Sequence, residues 1–299
     1  MKDEPAVERR RRWDRATLRE EDWLIHLSSR PAGAAHLARP TDDVGAATYF
    51  QARDDVRRRL VSALREGPGL AVVRGLPLDG LTDRACADLC RSVLSLVGSP
   101  RPPESAAPMD HILTTGPLAP DERHDAARGP AHHPALAPHT DRAGPPGPPR
   151  LLALLCVRPA ITGGDSLLIS GHTIHARLSA DHPAALPTLR RDFHFGAEAH
   201  LARTGPVLTR TGGRLTVHYN RHQIDRGHEA AGDPLTHARI EALDAVDEVL
   251  RDESLFLRLP LRRGDVLVLD NTTVLHGRTS FVDHPEPLRH RCLARAWAD

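Results

Sequence analysis

A chain of 299 residues with 40% hydrophobic side chains can bury a sizeable core and is expected to form one large domain. Its 40 basic and 39 acidic side chains leave almost no net charge, so no global field draws in nucleic acid or an anionic membrane. No apolar run reaches the roughly 18 residues of a membrane span, and the charged N-terminus lacks the apolar segment of a signal peptide; a cytoplasmic protein is expected.

Residues 1–50 carry no sustained period and read as a partly irregular N-terminal extension, with residues 51–299 as a single domain. The run "ERRRRWDR" at 8–15 lies near the terminus among acidic residues and reads as a solvated or loosely ordered segment. From Asp54 to about Glu66, Val56, Leu60, Val61 and Leu64 recur at helical spacing, and "GPG" at 67–69 ends the helix. "LAVVRG" at 70–75 reads as a short strand closed by glycine. Cys86, Leu89, Cys90, Val93, Leu94 and Val97 then mark the clearest amphipathic helix, with Thr82 as its N-cap and Gly98 and Pro100 as its stop. The four cysteines have no C-x-x-C spacing and read as reduced structural residues.

Residues 99–150 are rich in Pro, Gly and His and read as a long loop, a class that is usually functional or disordered. The loop delivers His139 and Asp141 to "LLALLCVRP" at 151–159, a buried strand by length and composition. A turn "TGGDS" and a strand "LLIS" follow, and Asp233-Pro234 reads as the N-cap and first residue of a helix carrying Ile240, Leu243, Val246 and Leu250. In "LRRGDVLVLDNTTVLHGRTSF", residues 266–269 form a strand and residues 273–276 enter another. Without βαβ repeats or a glycine-rich phosphate loop, this pattern predicts a mainly β sandwich or barrel with helical additions.

"HTD" at 139–141 is not informative by itself. With 19 histidines and this acid content, about 2.5 His-x-acid matches arise by chance, and the chain has two, His139/Asp141 and His284/Glu286. Pro285 and the surrounding "DHPEP" make the second a turn, and "HTIH" at 172–175 and His132-His133 lack the acid of a zinc hydrolase motif. In a strand, residues i and i+2 share a face, so His139 and Asp141 can converge on one metal. A third ligand must come from elsewhere, and two histidines with one carboxylate leave open positions on an octahedral iron. The candidate is His276 in "DNTTVLHGR", although a lone strand histidine is also an ordinary hydrogen-bonded residue. Arg291 and Arg295 in "RHRCLARAW" are either solvent-facing or suited to a dicarboxylate, whose geometry a planar guanidinium matches.

Together, "HTD", "LLALLCVRPAITGGDSLLIS", "LRRGDVLVLDNTTVLHGR" and "RHRCLARAW" resemble the taurine dioxygenase and clavaminate-synthase-like superfamily of Fe(II)/2-oxoglutarate-dependent oxygenases, over roughly residues 55–299. The resemblance implies a double-stranded β-helix, the cupin-like jelly roll. It implies iron ligation by His139, Asp141 and His276, with 2-oxoglutarate and O2 as cosubstrates. Arg291 would pair with the distal carboxylate of 2-oxoglutarate, Ser166 would take the place of a threonine that bonds it, and Arg295 would face the cosubstrate or an anionic substrate group. Tyr219, Asn220 and Arg221 in "GRLTVHYNRHQID" match a substrate-side strand and loop, although Tyr219 reads equally as core and Arg221 as surface. The "RAGPPGPP" that follows Asp141 would contribute to the pocket rim. The implied activity is hydroxylation of an unactivated C–H bond in small-molecule secondary metabolism, on a free amino acid, a derivative or a carrier-bound intermediate, with desaturation or ring formation as the alternative outcomes of the same oxidation. Asp141 argues against halogenation, because related halogenases lack the carboxylate ligand. A zinc-dependent hydrolase or isomerase on a similar barrel, and a catalytically silent jelly-roll binding protein, are the alternatives.

Overall fold

In a computed structural model, the described residues are 6–27, 53–102, 112–114, 132–141, 147–199 and 201–299. The "RAGPPGPP" segment lies largely outside them. A six-stranded major sheet runs in the order Leu24–His26, Leu70–Arg74, Val266–Asp270, Leu151–Arg158, Cys292–Ala298 and Ile112–Thr114. Only its first pair is parallel. A four-stranded minor sheet runs Leu257–Leu259, Ser166–Ser170, Val274–Arg278 and Leu136–His139, all antiparallel. Short sheets and helices complete a mainly β jelly roll with helical additions, as the residue pattern predicts.

The strand Leu151–Arg158 is apolar up to its last residue because both of its faces are covered. Leu152, Leu154 and Cys156 pack with Leu168, Val274, Leu267 and Leu269 between the two sheets. The alternate residues Ala153, Leu155 and Val157 face a second core with Cys86, Cys90, Val93 and Leu94 of the helix Asp83–Leu94. That helix is capped as expected, the Thr82 side chain accepting from Ala85 N. A third core joins Ile169 and Leu275 of the minor sheet to the helices Gly171–Asp181 and His237–Val249. All four cysteines are buried and free. Among the described residues no helix is long and apolar enough to cross a membrane.

Two local expectations are corrected. The run at 8–15 is only partly solvated: Arg9, Arg10, Arg12 and Arg15 are exposed, but Ala6–Arg11 is helical, and Trp13 is buried with its indole N–H on Pro68 O at 2.8 Å. Arg11 is buried beside Asp270 at 3.2 Å and also donates to Thr273 Oγ1 at 2.8 Å and Leu64 O at 2.7 Å. A buried carboxylate needs such a partner, and sequence proximity gives no hint that Arg11 supplies it. The second correction concerns the late helix. It starts at His237 with Thr236 as its N-cap, while Asp233 is drawn to the side chain of Arg239 at 3.1 Å. Ile240 is accordingly exposed, whereas Leu243 and Val246 are buried.

Leu155 is fully buried in the helix-facing core and does not line the cavity described below. Leu155→Ala should lower stability by about 2–5 kcal/mol in a denaturant titration.

Candidate metal centre

His139 ends the strand Leu136–His139 and lies in register opposite His276 of Val274–Arg278. Their ring centroids are 4.5 Å apart. Gly277 permits this approach, since a Cβ there would sit 2.7 Å from Leu136 O. Asp141 falls two residues past His139, beyond the strand, so strand alternation alone does not aim it. Its peptide is fixed from outside. Asn271 Oδ1 accepts from Asp141 N at 2.8 Å, and Asn271 Nδ2 donates to Asp141 O and to Pro149 O, each at 2.9 Å. Next to it, Thr140 N donates to Tyr219 O at 2.7 Å and Thr140 Oγ1 accepts from Tyr219 N at 3.0 Å.

The result is a compact donor set. Asp141 Oδ1 lies 3.4 Å from Nε2 of both His139 and His276, and the three ligand atoms fall within 4.8 Å of one another. His139 Nδ1 is 2.9 Å from Ala137 O; a carbonyl can only accept, so Nδ1 carries a proton and Nε2 is the nitrogen turned toward Asp141. Burial opposes ionisation of Asp141, but hydrogen bonds from His139 and His276 hold its pKa well below the ordinary range. Burial likewise opposes protonation of His139, and the Asp141 carboxylate outweighs it and raises its pKa. For His276, burial and the neighbouring His139 win, and its pKa is lowered. Two imidazole nitrogens and one carboxylate suit a first-row transition metal better than Mg²⁺ or Ca²⁺.

The triad opens into a cavity of about 330 Å³. Leu136, Leu154 and Leu293 supply apolar wall, while Ser166 and three arginines supply its polar side. Arg291 is buried, donates from Nη2 to Gly164 O at 3.3 Å, and packs over the Phe281 ring. Gly164, at φ +76°, allows this, because a Cβ there would lie 2.9 Å from Arg291 Nε. No carboxylate among the described residues forms an ion pair with the Arg291 guanidinium, and burial lowers its pKa. A buried unpaired cation is costly, so this wall is built to receive an anion. Ser166 is buried opposite Arg278 in the minor sheet.

Arg295 stacks over Trp297 at 4.1 Å and lies 3.8 Å from Asp141 Oδ2. Two lining or supporting residues escape a sequence reading. Arg278, two residues after His276 and so on the same strand face, lines the cavity; burial and Arg291 bring its pKa down to about 10. Trp297 Nε1 donates to Asp141 Oδ2 at 2.8 Å. Period-two spacing from His276 could have flagged Arg278, but nothing local marks Trp297.

Tyr219, Asn220 and Arg221 are not brought to the cavity. The Tyr219 hydroxyl donates to Asp247, Asn220 caps the helix Arg221–Ala231 by accepting from Gln223 N at 3.1 Å, and Arg221 pairs with Asp247 at 2.6 Å and Asp244 at 2.8 Å. A second triplet, His194, His228 and Asp233, also has metal-like spacing. Both ring nitrogens of His228 are already used there, Nδ1 with Asp233 O at 2.6 Å and Nε2 accepting from His194 N at 3.2 Å.

Residues 35–297 match the family model "Taurine catabolism dioxygenase TauD, TfdA family". The taurine hydroxylase-like protein SAT17 of Stachybotrys chartarum is 25% identical, over 88% of this chain and 71% of that protein. Other curated relatives are matched over about half of their own length, 53% and 44% for two of them. Among solved structures, an asparagine oxygenase in complex with Fe(II), hydroxyasparagine and succinate superposes with a TM-score of 0.63 at 20% identity, covering 92% of this chain and 93% of that one. The non-heme iron oxygenase OrfP with Fe and alpha-ketoglutaric acid gives 0.62 at 18% identity, with the same coverage. The chain belongs to the TauD/TfdA family of dioxygenases, enzymes that use Fe(II), 2-oxoglutarate and O2.

Proposed function

We propose that the protein hydroxylates an unactivated C–H bond of an amino acid or amino-acid-derived small molecule, with 2-oxoglutarate converted to succinate and CO2. The observation that carries this reading is one cavity holding both the His139, Asp141 and His276 donor set and the buried guanidinium of Arg291, which forms no ion pair with a carboxylate among the described residues. The amino-acid class rests on the structural neighbours, one bound to hydroxyasparagine and another crystallised with L-Arg.

His139, Asp141 and His276 would hold the iron, which when bound activates O2 so that loss of CO2 from 2-oxoglutarate is coupled to C–H oxidation. The chain's own work is binding and orientation. Arg291 presents its planar donors to the distal carboxylate of 2-oxoglutarate, and Ser166 offers its hydroxyl to the same group. Leu136, Leu154 and Leu293 give the space between that carboxylate and the metal ligands its apolar lining. Trp297 occupies Asp141 Oδ2, which leaves Oδ1 turned toward the two histidines. A carboxylate at position 141 occupies the place that a halide would need, which favours hydroxylation.

Anaerobic addition of Fe(II) and 2-oxoglutarate should give a weak visible charge-transfer band. His139→Ala should abolish the band, and Arg291→Ala should weaken 2-oxoglutarate binding about ten- to a hundredfold, the loss of one charge-assisted pairing. A folded wild-type protein with no band and with zinc-supported hydrolysis would sink the proposal. Succinate release across a panel of free amino acids then identifies the substrate class.

Trp297→Phe keeps an aromatic ring beneath Arg295 but removes the donor to Asp141. Titrating the same band with Fe(II) should show iron affinity reduced by about tenfold with the melting temperature unchanged.

A further inference from the structure

A second pocket, of about 480 Å³, shares no lining residue with the metal cavity. Its size is in the range of roughly 300–1,000 Å³ typical of small-molecule sites. It is framed by Val7 and Glu8 of the first helix, by His172, and by the Gly212-Gly213 turn, and four guanidinium groups line it: Arg11, Arg65, Arg150 and Arg214.

These cations are not equally engaged. Arg11 and Arg214 both bond the buried Asp270 carboxylate, at 3.2 and 3.1 Å, and neutralise it. Glu8 is held by Arg210 at 2.6 Å. No carboxylate among the described residues pairs with Arg150 or Arg65. Arg150 is half-buried and its Nε is buried without a hydrogen-bond partner; burial lowers its pKa, the nearby Asp270 carboxylate works against this, and Arg214, Arg65 and Arg11 lower it further. Burial and Arg11 depress His172 to about 4, so its ring is neutral at physiological pH and supplies hydrogen-bonding capacity without further charge. Like charges gathered in a partly desolvated pocket repel unless an anion sits between them.

We propose that this pocket binds a small phosphate monoester, with Arg150 as its main ligand, Arg65 and Arg214 closing on the same phosphate, and the remaining volume taken by the organic part. Planar guanidinium donors match phosphate oxygens in pairs, and two charges on the ligand match the two unpaired arginines. The cavity is larger than an inorganic phosphate needs, which favours the ester over the free ion.

Isothermal titration of the full-length protein with inorganic phosphate and with ribose 5-phosphate tests this, each with and without saturating 2-oxoglutarate. Both should bind, the ester more tightly, and 2-oxoglutarate should leave both affinities unchanged. Arg150→Gln should weaken the ester by about tenfold or more, the cost of one charge-assisted pair, and the exposed Arg65→Gln should weaken it severalfold without affecting folding. The metal-site variant Arg291→Ala should bind the ester like wild type, so failure of this site and failure of the oxygenase reading are distinguishable. Absence of binding at millimolar ester, affinity unchanged in both arginine variants, or competition with 2-oxoglutarate would overturn the proposal. Inorganic phosphate binding as tightly as the ester would overturn the monoester assignment.

Discussion

The metal centre depends on one side chain that belongs to none of its ligands. Asn271, in the turn that links the major-sheet strand Val266–Asp270 to the minor-sheet strand Val274–Arg278 carrying His276, bonds both the N–H and the carbonyl of Asp141 and reaches Pro149 as well. Its own backbone N–H donates to Arg150 O at 2.8 Å. These bonds fasten the chain leaving the minor sheet to the chain entering the major one, at the place where Asp141 has left regular structure. A primary amide is the group for this task, because it offers a donor and an acceptor to a single peptide without adding charge beside a carboxylate. Buried completely, it has no water to compete with these partners. The preceding residue, Asp270, anchors the same turn to Arg11, so the N-terminal helix also holds this link between the two sheets.

The cavity has an electrostatic asymmetry with a simple origin. Asp141 is the only carboxylate among its described lining residues, and it is shared between two histidines, while Arg278, Arg291 and Arg295 line the same cavity. Arg278 and Arg291 both lie against Phe281, at 4.4 and 5.2 Å from its centroid. The ring face offers partial compensation to two desolvated cations, and a bound dianion would supply the rest.

Particular residues show how far a sequence can be read. The helix over Cys86, Cys90 and Val93 and the strand at 151–158 were legible because a repeating apolar period records which faces are buried. The HTD pair was visible but ambiguous, and its meaning came from distant segments of matching order. Tyr219 illustrates the limit. Its placement beside the site was suggested by its neighbours in sequence, yet its hydroxyl turns to Asp247 and only its backbone serves the centre, holding Thr140. Arg11 was read as solvated because its neighbours are charged, and it is buried because Asp270, 259 residues away, needs a cation. Trp297 carried no local mark at all.

By itself, then, the sequence determined what short-range periodicity can encode, the apolar strands and helices and the mainly β class, while its resemblance to a known family supplied the candidates His139, Asp141, His276, Arg291, Ser166 and Arg295. It could not rank the arginines of so arginine-rich a chain. Only the tertiary structure decided that Arg221 is absorbed by aspartates, that Arg291 stays free of any described carboxylate, and that Trp297 holds the far oxygen of Asp141. The reason is physical. Burial pattern is a property of consecutive residues, whereas the partner of a charge or a hydrogen-bond donor is set by distances across the fold between residues that the chain keeps far apart.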